Sequence, residues 1–242
     1  MDNAILITGF NGEIGRQTLL ALSKKETLII ALDINNPHIK YDNVIYIKDS
    51  ILNKDVMKSI FNDYNIIEVY HFAALLSQSA NSNPKSAYEV NEEGSKLIIQ
   101  LATNHGIKHK SFVRIFFPSS IAVYGPKKLK DAKEYNIIKP QTIYGCNKLV
   151  IEQFGTQKYE ESIQLGFGID FRCLRFPGII SPYTIPSGGT TDFAPQMLHA
   201  AYNNKKYTCK VDPSTLLPFL SIKSTIDAIF QIMTTPHIKS KL

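Results

Sequence analysis

The sequence predicts a doubly wound α/β fold, in which helices cover both faces of a parallel sheet. Two observations predict it. Short, continuous apolar runs recur along the chain, and longer stretches with helical patterning separate them. A chain of 242 residues that is 44% hydrophobic can bury a core of the size that such a fold needs.

The elements follow in order along the chain. The predicted strands are AILITG, TLIIALD, NVIYIKD, EVYHFAA, SFVRIFFPSS and DFRCLRFPG. The predicted helices end near Ser23, run from Asn53 to Tyr64, from about Pro84 to His105, and from about Thr142 to Tyr159. From Ser181, the stretch SPYTIPSGGTTD is rich in proline, glycine and threonine and predicts a long loop rather than a linker.

Charge and composition disfavour several classes of protein. The formal charge is +6, but the lysines are scattered in pairs without an arginine-rich stripe, which favours a solvated surface over a nucleic-acid-binding face. There is no uncharged apolar run of membrane-spanning length, and the first strand begins by Ala4, so we expect no membrane segment, no leader peptide and a cytoplasmic location.

Cysteine and histidine patterns predict no metal site. Cys146, Cys173 and Cys209 are odd in number and far apart, which is typical of reduced thiols rather than of disulfides or a zinc site. His105 and His109 are four residues apart, but Gly106 between them suggests a helix end.

The segment ILITGFNGEIG, residues 5–15, places three glycines at intervals of three. In a strand–turn–helix unit, Gly9 would form the tight turn, Gly12 would let the backbone approach a pyrophosphate, and Gly15 would let the helix pack on the strand. The pattern therefore predicts a dinucleotide site. A tight turn with no ligand is the alternative.

Two aspartates extend this site. Asp33 ends the second predicted strand, where a carboxylate can accept hydrogen bonds from the adenosine ribose and would repel a 2′-phosphate, which favours NAD over NADP. An Asx turn leading into NNP is the alternative role. Asp49 ends the third strand and is placed either to contact adenine or to cap the following helix.

A second group of residues predicts a catalytic centre. Tyr144 and Lys148 are four residues apart in a predicted helix and share a face, and an ammonium near a phenol lowers the phenol pKa, so Tyr144 is a candidate general base. Such a pair alone is more often ordinary helix surface. Ser119 and Ser120 end a strand upstream, at the sheet edge where doubly wound folds bind ligands, and this order favours catalysis.

The chain resembles the extended short-chain dehydrogenase/reductase superfamily, which includes the NAD-dependent epimerases and dehydratases, in the motifs TGFNGEIG, HFAALLS, PSSIAVYG and YGCNK. RCLRFPGIIS, PSGGTTDFA and LPFLSI are similar to the short-chain L-threonine 3-dehydrogenases, and GGTTDF is the most specific of these segments. The resemblance extends from about Ile5 to Met233.

The resemblance implies a role for each matching residue. Ser120, Tyr144 and Lys148 match the catalytic triad, and Asn91 matches the asparagine that completes a proton relay. The implied substrate-binding residues are Ser77, Ser119, Ser120, Tyr144, Gly178 and Thr190. The implied NAD-binding residues are Gly9, Asn11, Gly12, Glu13, Ile14, Gly15, Asp33, Ile34, Asp49, Ser50, Phe72, Ala73, Ala74, Asn91, Pro118, Tyr144 and Lys148. Ser77 as a helix cap, Thr190 as a loop hydroxyl and Asn91 bonded to its own turn are the structural alternatives.

The resemblance also implies a reaction. Tyr144 would deprotonate the threonine hydroxyl, Ser120 would hydrogen-bond the same oxygen, and Lys148 would hold the ribose, giving 2-amino-3-oxobutanoate in threonine catabolism. That product can lose carbon dioxide or pass to a CoA-dependent 2-amino-3-oxobutanoate lyase. A homodimer is implied as well. Arg172 and Arg175 are expected to pair with carboxylates on a covering helix and to have no catalytic role.

We expect residues 1–176 to form an NAD-binding Rossmann domain and residues 177–242 a partial substrate-binding lobe interleaved with it. Members of the resembling family continue past AIFQIM, so the lobe is expected to be truncated. The final Ser-Lys-Leu matches a peroxisomal address, which we interpret as coincidental. The alternative functions are a nucleotide-sugar epimerase or dehydratase and an inactive dinucleotide-binding module.

Overall fold

A six-stranded parallel sheet forms the centre of the computed structural model, which describes residues 3–125, 138–183, 189, 191–209 and 211–236. Its strands lie in the order β3-β2-β1-β4-β5-β6, so the direction of strand progression reverses between β1 and β4. Such a reversal opens a crevice at the carboxyl ends of the strands, where doubly wound folds bind ligands. The strands are β1 Asn3–Thr8, β2 Leu28–Asp33, β3 Val44–Lys48, β4 Asn65–His71, β5 Phe112–Ser120 and β6 Gly168–Phe176.

Helices cover both faces of this sheet, which confirms the predicted fold class. They are α1 Glu13–Leu22, α2 Lys54–Asp63, α3 Ser77–Ser82, α4 Pro84–Ala87, α5 Ser95–His109, α6 Ile143–Leu165, α7 Phe193–Tyr202 and α8 Ile222–Thr234. A π-helical segment, Tyr88–Gly94, joins α4 to α5, and a 3₁₀ turn, Ile121–Tyr124, follows β5.

Alternate residues of each strand supply two separate cores. On one face Ala4 and Leu6 pack with Ile98 of α5 and Ile151 of α6. On the other face Ile5 and Ile7 pack with residues of α1 and α8. Because both faces are covered, the central strands β1 and β2 are apolar along most of their length rather than alternating, which is the pattern that made them recognisable in the sequence.

Two predicted helix ends are wrong. The last of the predicted helices, α6, continues past Tyr159 to Leu165, where Gly166 adopts a left-handed φ of 85°. The helix α5 continues through Gly106 to His109. A Cβ at Gly106 would lie 1.9 Å from the carbonyl oxygen of Gly168, so this glycine permits close packing against β6 and does not end the helix.

The stretch 181–192, predicted as a long loop, contains no helix or strand among its described residues, and regular structure flanks it. Within the described residues, β7 Gly178–Ile180 pairs in parallel with β8 Phe219–Ser221, and α7 and α8 follow the loops. Ile229 and Met233 of α8 are fully buried in the second core. This segment therefore packs onto the sheet domain, and the assignment of residues 177–242 to a substrate-binding lobe stays a prediction.

No helix within the described ranges is both long enough and apolar enough to cross a bilayer.

Candidate active site

A cavity of about 840 Å³ lies where the carboxyl ends of the strands meet the C-terminal segment. It collects residues from the start of α1, the ends of β4 and β5, the start of α6 and the segment after β6. The predicted site residues that line it are Gly12, Glu13, Ile14, Gly15, Phe72, Ala74, Ser77, Pro118, Ser119, Ser120, Tyr144, Lys148 and Gly178.

The other predicted residues lie outside this lining. They are Gly9, Asn11, Asp33, Ile34, Asp49, Ser50, Ala73 and Asn91. Thr190 and the terminal Ser240, Lys241 and Leu242 fall outside the described residues.

The structure explains differently why each of the three positions in the first turn holds a glycine. Gly9 has φ +71°, and a Cβ there would lie 2.5 Å from the backbone nitrogen of Ala73. A Cβ at Gly15 would lie 2.3 Å from the carbonyl oxygen of Gly9. At Gly12 the nearest atom would be 3.4 Å away, which is ordinary contact. The protein itself therefore requires Gly9 and Gly15, whereas Gly12 leaves space open to a ligand.

The start of α1 is suited to an anion. Gly12 is the N-cap residue, and no side chain of the described chain caps the helix. The first N–H groups of a helix have no intrahelical partner and carry a partial positive charge. These groups are available to a phosphate, as the sequence predicts.

Asp33 holds two backbone segments together. One carboxylate oxygen accepts the N–H of Asn11 at 2.9 Å, and the other accepts the N–H of Asn35 at 2.9 Å. The second bond is the Asx turn that was the alternative role, and it coexists with a place at the dinucleotide site. Because each carboxylate oxygen can accept a further hydrogen bond, the ribose contact stays open as a prediction.

Asp49 supports a helix cap indirectly. Asn53 caps α2 by accepting the N–H of Val56 at 3.3 Å, and Asp49 accepts from the Asn53 amide at 3.1 Å. Asp49 therefore supports the cap of α2 through Asn53 rather than capping the helix itself. Its contact with adenine stays a prediction.

Local packing brings the three catalytic candidates to one cavity. Ser120 ends β5 and accepts the N–H of Ala122 at 3.1 Å, so its own hydrogen is free to donate elsewhere. Thr142 caps α6 by accepting the N–H of Gly145 at 3.0 Å. A Cβ at Gly145 would lie 2.5 Å from the carbonyl oxygen of Ala122. The start of α6 therefore packs closely against the turn that follows Ser120.

Burial dominates the electrostatics of the tyrosine–lysine pair. Lys148 is 4% exposed, and burial lowers its pKa to about 7 while the carboxylate of Glu152 acts in the opposite direction. Burial raises the pKa of Tyr144 to about 12. The expected lowering of the tyrosine pKa is therefore wrong, because burial raises it. The lysine is desolvated too, and its Nζ donates to the carbonyl oxygen of Pro118 at 2.7 Å.

Ser119 belongs to a network behind the cavity. Its hydroxyl donates to Glu152 of α6, so the hydroxyl does not serve the cavity although Ser119 lines it. Arg175 donates to both oxygens of Glu152, at 2.9 and 2.6 Å, and to the Tyr124 hydroxyl at 2.9 Å. The expected pairing of Arg175 with a helix carboxylate is confirmed.

The carboxylate partner of Arg172 differs from the predicted one. Its carboxylate partner is Asp170 on its own strand, at 2.6 Å, rather than a residue on a covering helix. The guanidinium also donates to the carbonyl oxygens of Ile232 and Thr235, at the end of α8. It thereby satisfies carbonyl groups that a helix leaves free at its C-terminus.

Asn91 fixes a loop rather than its own turn. Its amide donates to the carbonyl oxygen of Leu75 at 3.0 Å and accepts the N–H of Leu75 at 2.7 Å. It also lies 3.4 Å from the amide oxygen of Asn147. The alternative of a bond within its own turn is wrong, and Asn91 holds the segment that leads to Ser77. Its part in a proton relay stays a prediction.

Sequence reasoning missed His71. This residue ends β4, is 2% exposed, and lies 2.6 Å from the Thr8 hydroxyl and 2.8 Å from the Ser95 hydroxyl. Burial, and secondarily the charge of Lys148, lower its pKa to about 3. The neutral ring therefore joins β1, β4 and the start of α5. A histidine within an apolar strand was the available signal.

Nothing in the described ranges brings three or more histidine, cysteine, aspartate or glutamate side chains together as a metal site would.

Comparison with known proteins places this geometry in a family. The NAD dependent epimerase/dehydratase family matches residues 5–241. The chain belongs to this family. It is 33% identical over 237 residues to a Bos taurus protein named L-threonine 3-dehydrogenase, mitochondrial, a match that covers 96% of this chain and 60% of that protein. This chain therefore spans about 60% of the length of that curated relative.

Two solved structures of similar proteins superimpose closely on this chain. A monomeric L-threonine 3-dehydrogenase from a metagenome database, in its apo form, is 34% identical with a TM-score of 0.84. The L-threonine dehydrogenase of Phytophthora infestans is 31% identical, also with a TM-score of 0.84. Each match covers 96% of this chain and 72% of the other.

NAD is the cofactor of this family, and the residues of the chain fit it. The uncapped start of α1 and the open space at Gly12 suit a diphosphate, and the Asp33 carboxylate lies at the end of β2. NAD supplies a hydride acceptor when it is bound.

Proposed function

We propose that the protein is an NAD-dependent dehydrogenase that oxidises the 3-hydroxyl of L-threonine to give 2-amino-3-oxobutanoate. The observation that carries the proposal is the convergence of Ser120, Tyr144 and Lys148 on one cavity beside the uncapped start of α1. The similarity to proteins named L-threonine dehydrogenases supports this substrate.

Each triad residue has a chemical task. Tyr144 removes the proton from the substrate hydroxyl, and Ser120 orients that oxygen by a hydrogen bond. The ordinary pKa of a tyrosine is already above neutral, and burial raises that of Tyr144 further. Tyr144 therefore acts as a base only when positive charge in the occupied site stabilises its phenolate. Protonated Lys148 is the group of this chain that supplies such charge.

The substrate end of the cavity suits a small polar molecule. Ser77 lies at the start of α3, and a Cβ at Gly178 would lie 2.8 Å from side-chain atoms of Phe219 and Thr191. This close packing brings β7 up to the cavity. Hydroxyl and backbone groups of this kind can hold the carboxylate and amino groups of an amino acid, with Thr190 as a further proposed contact.

The proposal extends to partners and location. We infer a homodimer and transfer of the product to a CoA-dependent lyase, in a cytoplasmic setting. The similar metagenomic protein is described as monomeric, so sedimentation of the purified chain is the direct measurement of its oligomeric state.

The test is NADH formation with L-threonine, L-serine and a UDP-sugar as separate substrates. L-threonine should be preferred over L-serine by about 10- to 200-fold, because one missing methyl in an apolar pocket is worth about 1–3 kcal/mol. The measurement is made on this chain and on a form extended by the C-terminal segment of its relatives. Turnover of the UDP-sugar and not of threonine by the extended form would make the protein a sugar-nucleotide enzyme.

Substitution of the base provides the matched control. Tyr144→Phe should reduce turnover at least about 100-fold, the low end of a general-base contribution, while NAD affinity changes little. Tyr124→Phe removes a hydroxyl that serves Arg175 instead, and it should retain most of the activity. Equal activity loss in both variants would contradict the assignment of Tyr144.

A further inference from the structure

Glu13 is an acidic residue at an unusual place. It is the first residue of α1, directly after Gly12, where the family member binds the negatively charged diphosphate of NAD. A carboxylate there is favoured by the helix dipole in the free protein but repels the incoming ligand. The residue also lines the cavity and is partly buried.

The hydrogen bonds of Ser181 determine how Glu13 can carry a proton. The Ser181 hydroxyl accepts the N–H of Tyr183 at 3.2 Å and donates its single hydrogen to Oε1 of Glu13. With Oε1 accepting this hydrogen, the open position for a proton on the carboxyl group is Oε2. That oxygen is buried and has no hydrogen-bond partner among the described residues.

Few charged groups of the described residues act on Glu13. Burial is the main cause that raises the pKa of Glu13, and the Ser181 hydrogen bond and the charge of Arg16 on α1 act against it. Among the described residues, the other ionisable side chains that line the same cavity are Tyr144 and Lys148 of α6 and Asp192 at the start of α7. Burial lowers the pKa of Lys148 to about 7, so this group titrates in the same experiments and has to be separated from Glu13.

We propose that Glu13 couples NAD binding to proton uptake: the diphosphate binds at the start of α1 together with one proton from solvent, which occupies Oε2 of Glu13. In the protonated form the charge repulsion is gone, and Oε2 becomes an O–H donor where an unpartnered acceptor stood. The ionised form retains the contact with Ser181 but opposes the ligand. This inference depends on NAD binding and is independent of the substrate that the enzyme oxidises.

The first experiment uses the unmodified chain. Calorimetric titration with NAD in buffers of different ionisation enthalpy measures the number of protons taken up. We expect uptake of a fraction of one proton near neutral pH, and an NAD affinity that falls by up to about tenfold per pH unit above the pKa of Glu13. ADP-ribose, which has the diphosphate but no nicotinamide, should show the same uptake.

The second experiment assigns the proton. Glu13→Gln keeps an oxygen for Ser181 and places an uncharged N–H donor at the other position, so its NAD affinity should be less dependent on pH. Its proton uptake should be lower than that of the parent by the share that Glu13 contributes. Lys148 is present in both proteins, so the difference in uptake between them reports the share of Glu13.

Asp192→Asn is the matched control. It removes a second carboxylate that lines the same cavity but belongs to the start of α7 rather than of α1, and it should leave proton uptake unchanged. Three results would overturn the proposal: no proton uptake by the parent, the same uptake in Glu13→Gln, or loss of uptake in Asp192→Asn instead. Uptake with NAD but none with ADP-ribose would overturn it as well, because the diphosphate would then not be the cause.

Discussion

Lys148 donates a hydrogen bond from Nζ to the carbonyl oxygen of Pro118 at 2.7 Å, across the gap between α6 and the end of β5. This bond holds the ammonium 4.4 Å from the centre of the Phe117 ring and 5.4 Å from the centre of the Tyr144 ring. The lysine is thus positioned by strand β5 rather than by the tyrosine with which it was predicted to pair. Its burial has a measurable consequence for the stability of the protein.

Stability should rise with pH because of Lys148. Its pKa is about 7 in the folded protein, below its ordinary value of 10.5. Between these values the unfolded chain binds more protons than the folded one, so the free energy of unfolding increases with pH in this window. From about pH 7 to about pH 9 the contribution is about 2 kcal/mol, at 1.36 kcal/mol per pKa unit.

Lys148→Met should remove this contribution. Urea unfolding of the parent and the variant at the two pH values gives the difference directly. Lys158→Met is the control. Lys158 forms an ion pair with the exposed Glu161, so replacing this lysine should not change how stability depends on pH between about pH 7 and about pH 9. Parallel pH curves for the parent and Lys148→Met would contradict the burial argument.

Acid should destabilise the protein through His71. The folded-state pKa is about 3 and the ordinary value is 6.5, so below pH 6.5 the unfolded chain binds a proton that the folded chain excludes. Stability contributed by the neutral ring is complete above pH 6.5 and is lost as pH falls toward 3. Between about pH 6.5 and about pH 4.5 the loss is about 2 kcal/mol.

His71→Gln should be less stable than the parent at neutral pH, because a glutamine cannot reach both Thr8 and Ser95, but its stability should fall less on acidification. Unfolding in urea at both pH values tests this. His38→Gln provides the comparison, since that histidine is exposed. A variant that loses as much stability in acid as the parent would show that His71 is not the group responsible.

The glycine turn and the strand ends could be predicted from sequence because their constraints are local. Gly9, Gly12 and Gly15 lie within one strand–turn–helix unit, and Ser120 ends a strand that is mostly apolar. The position of a strand end in a parallel sheet then fixes where its last side chain lies. The fold class follows from the same continuous runs.

The networks that position these residues are not local. Glu152 of α6 is joined to Ser119 of β5 and Arg175 of β6, and the sequence does not specify which carboxylate a given arginine meets. The same reason explains the error at Arg172. In the C-terminal segment, the short strands β7 and β8 are separated by a long stretch of chain, so their pairing has no local signature.

Replacing one partner of the ion pair between Glu152 and Arg175 should strongly destabilise the protein. The two side chains are 8% and 18% exposed, so Arg175→Met leaves a buried carboxylate with one charged partner fewer. We expect a loss of about 3 kcal/mol in the free energy of unfolding. Since Glu152 raises the pKa of Lys148, Glu152→Gln should in addition lower that pKa further.

The double variant Glu152→Leu/Arg175→Met is the control for this pair. Replacement of both charged partners by apolar side chains should recover about half or more of the stability lost in Arg175→Met. Chemical denaturation of the parent, Glu152→Leu, Arg175→Met and the double variant completes the cycle. Additive losses would mean that the two side chains act independently.

Alanine substitutions at Gly12 and Gly15 should separate the effect of each glycine on NAD binding from its effect on stability. In Gly15→Ala the new methyl group would lie 2.3 Å from the carbonyl oxygen of Gly9, and backbone atoms cannot move aside cheaply, so we expect a loss of about 3 kcal/mol in stability. In Gly12→Ala the nearest protein atom is 3.4 Å away, so stability should change by about 0.5 kcal/mol or less.

NAD affinity should respond to these two changes differently from stability. The methyl group of Gly12→Ala lies at the uncapped start of α1, where the diphosphate approaches, so NAD should bind at least about tenfold more weakly to this well-folded variant, a loss of 1.4 kcal/mol or more. Thermal unfolding with and without NAD measures both effects, because a bound ligand raises the unfolding temperature. Normal NAD stabilisation of Gly12→Ala would mean that the diphosphate does not approach the backbone at Gly12, and the reason for a glycine there would have to be sought elsewhere.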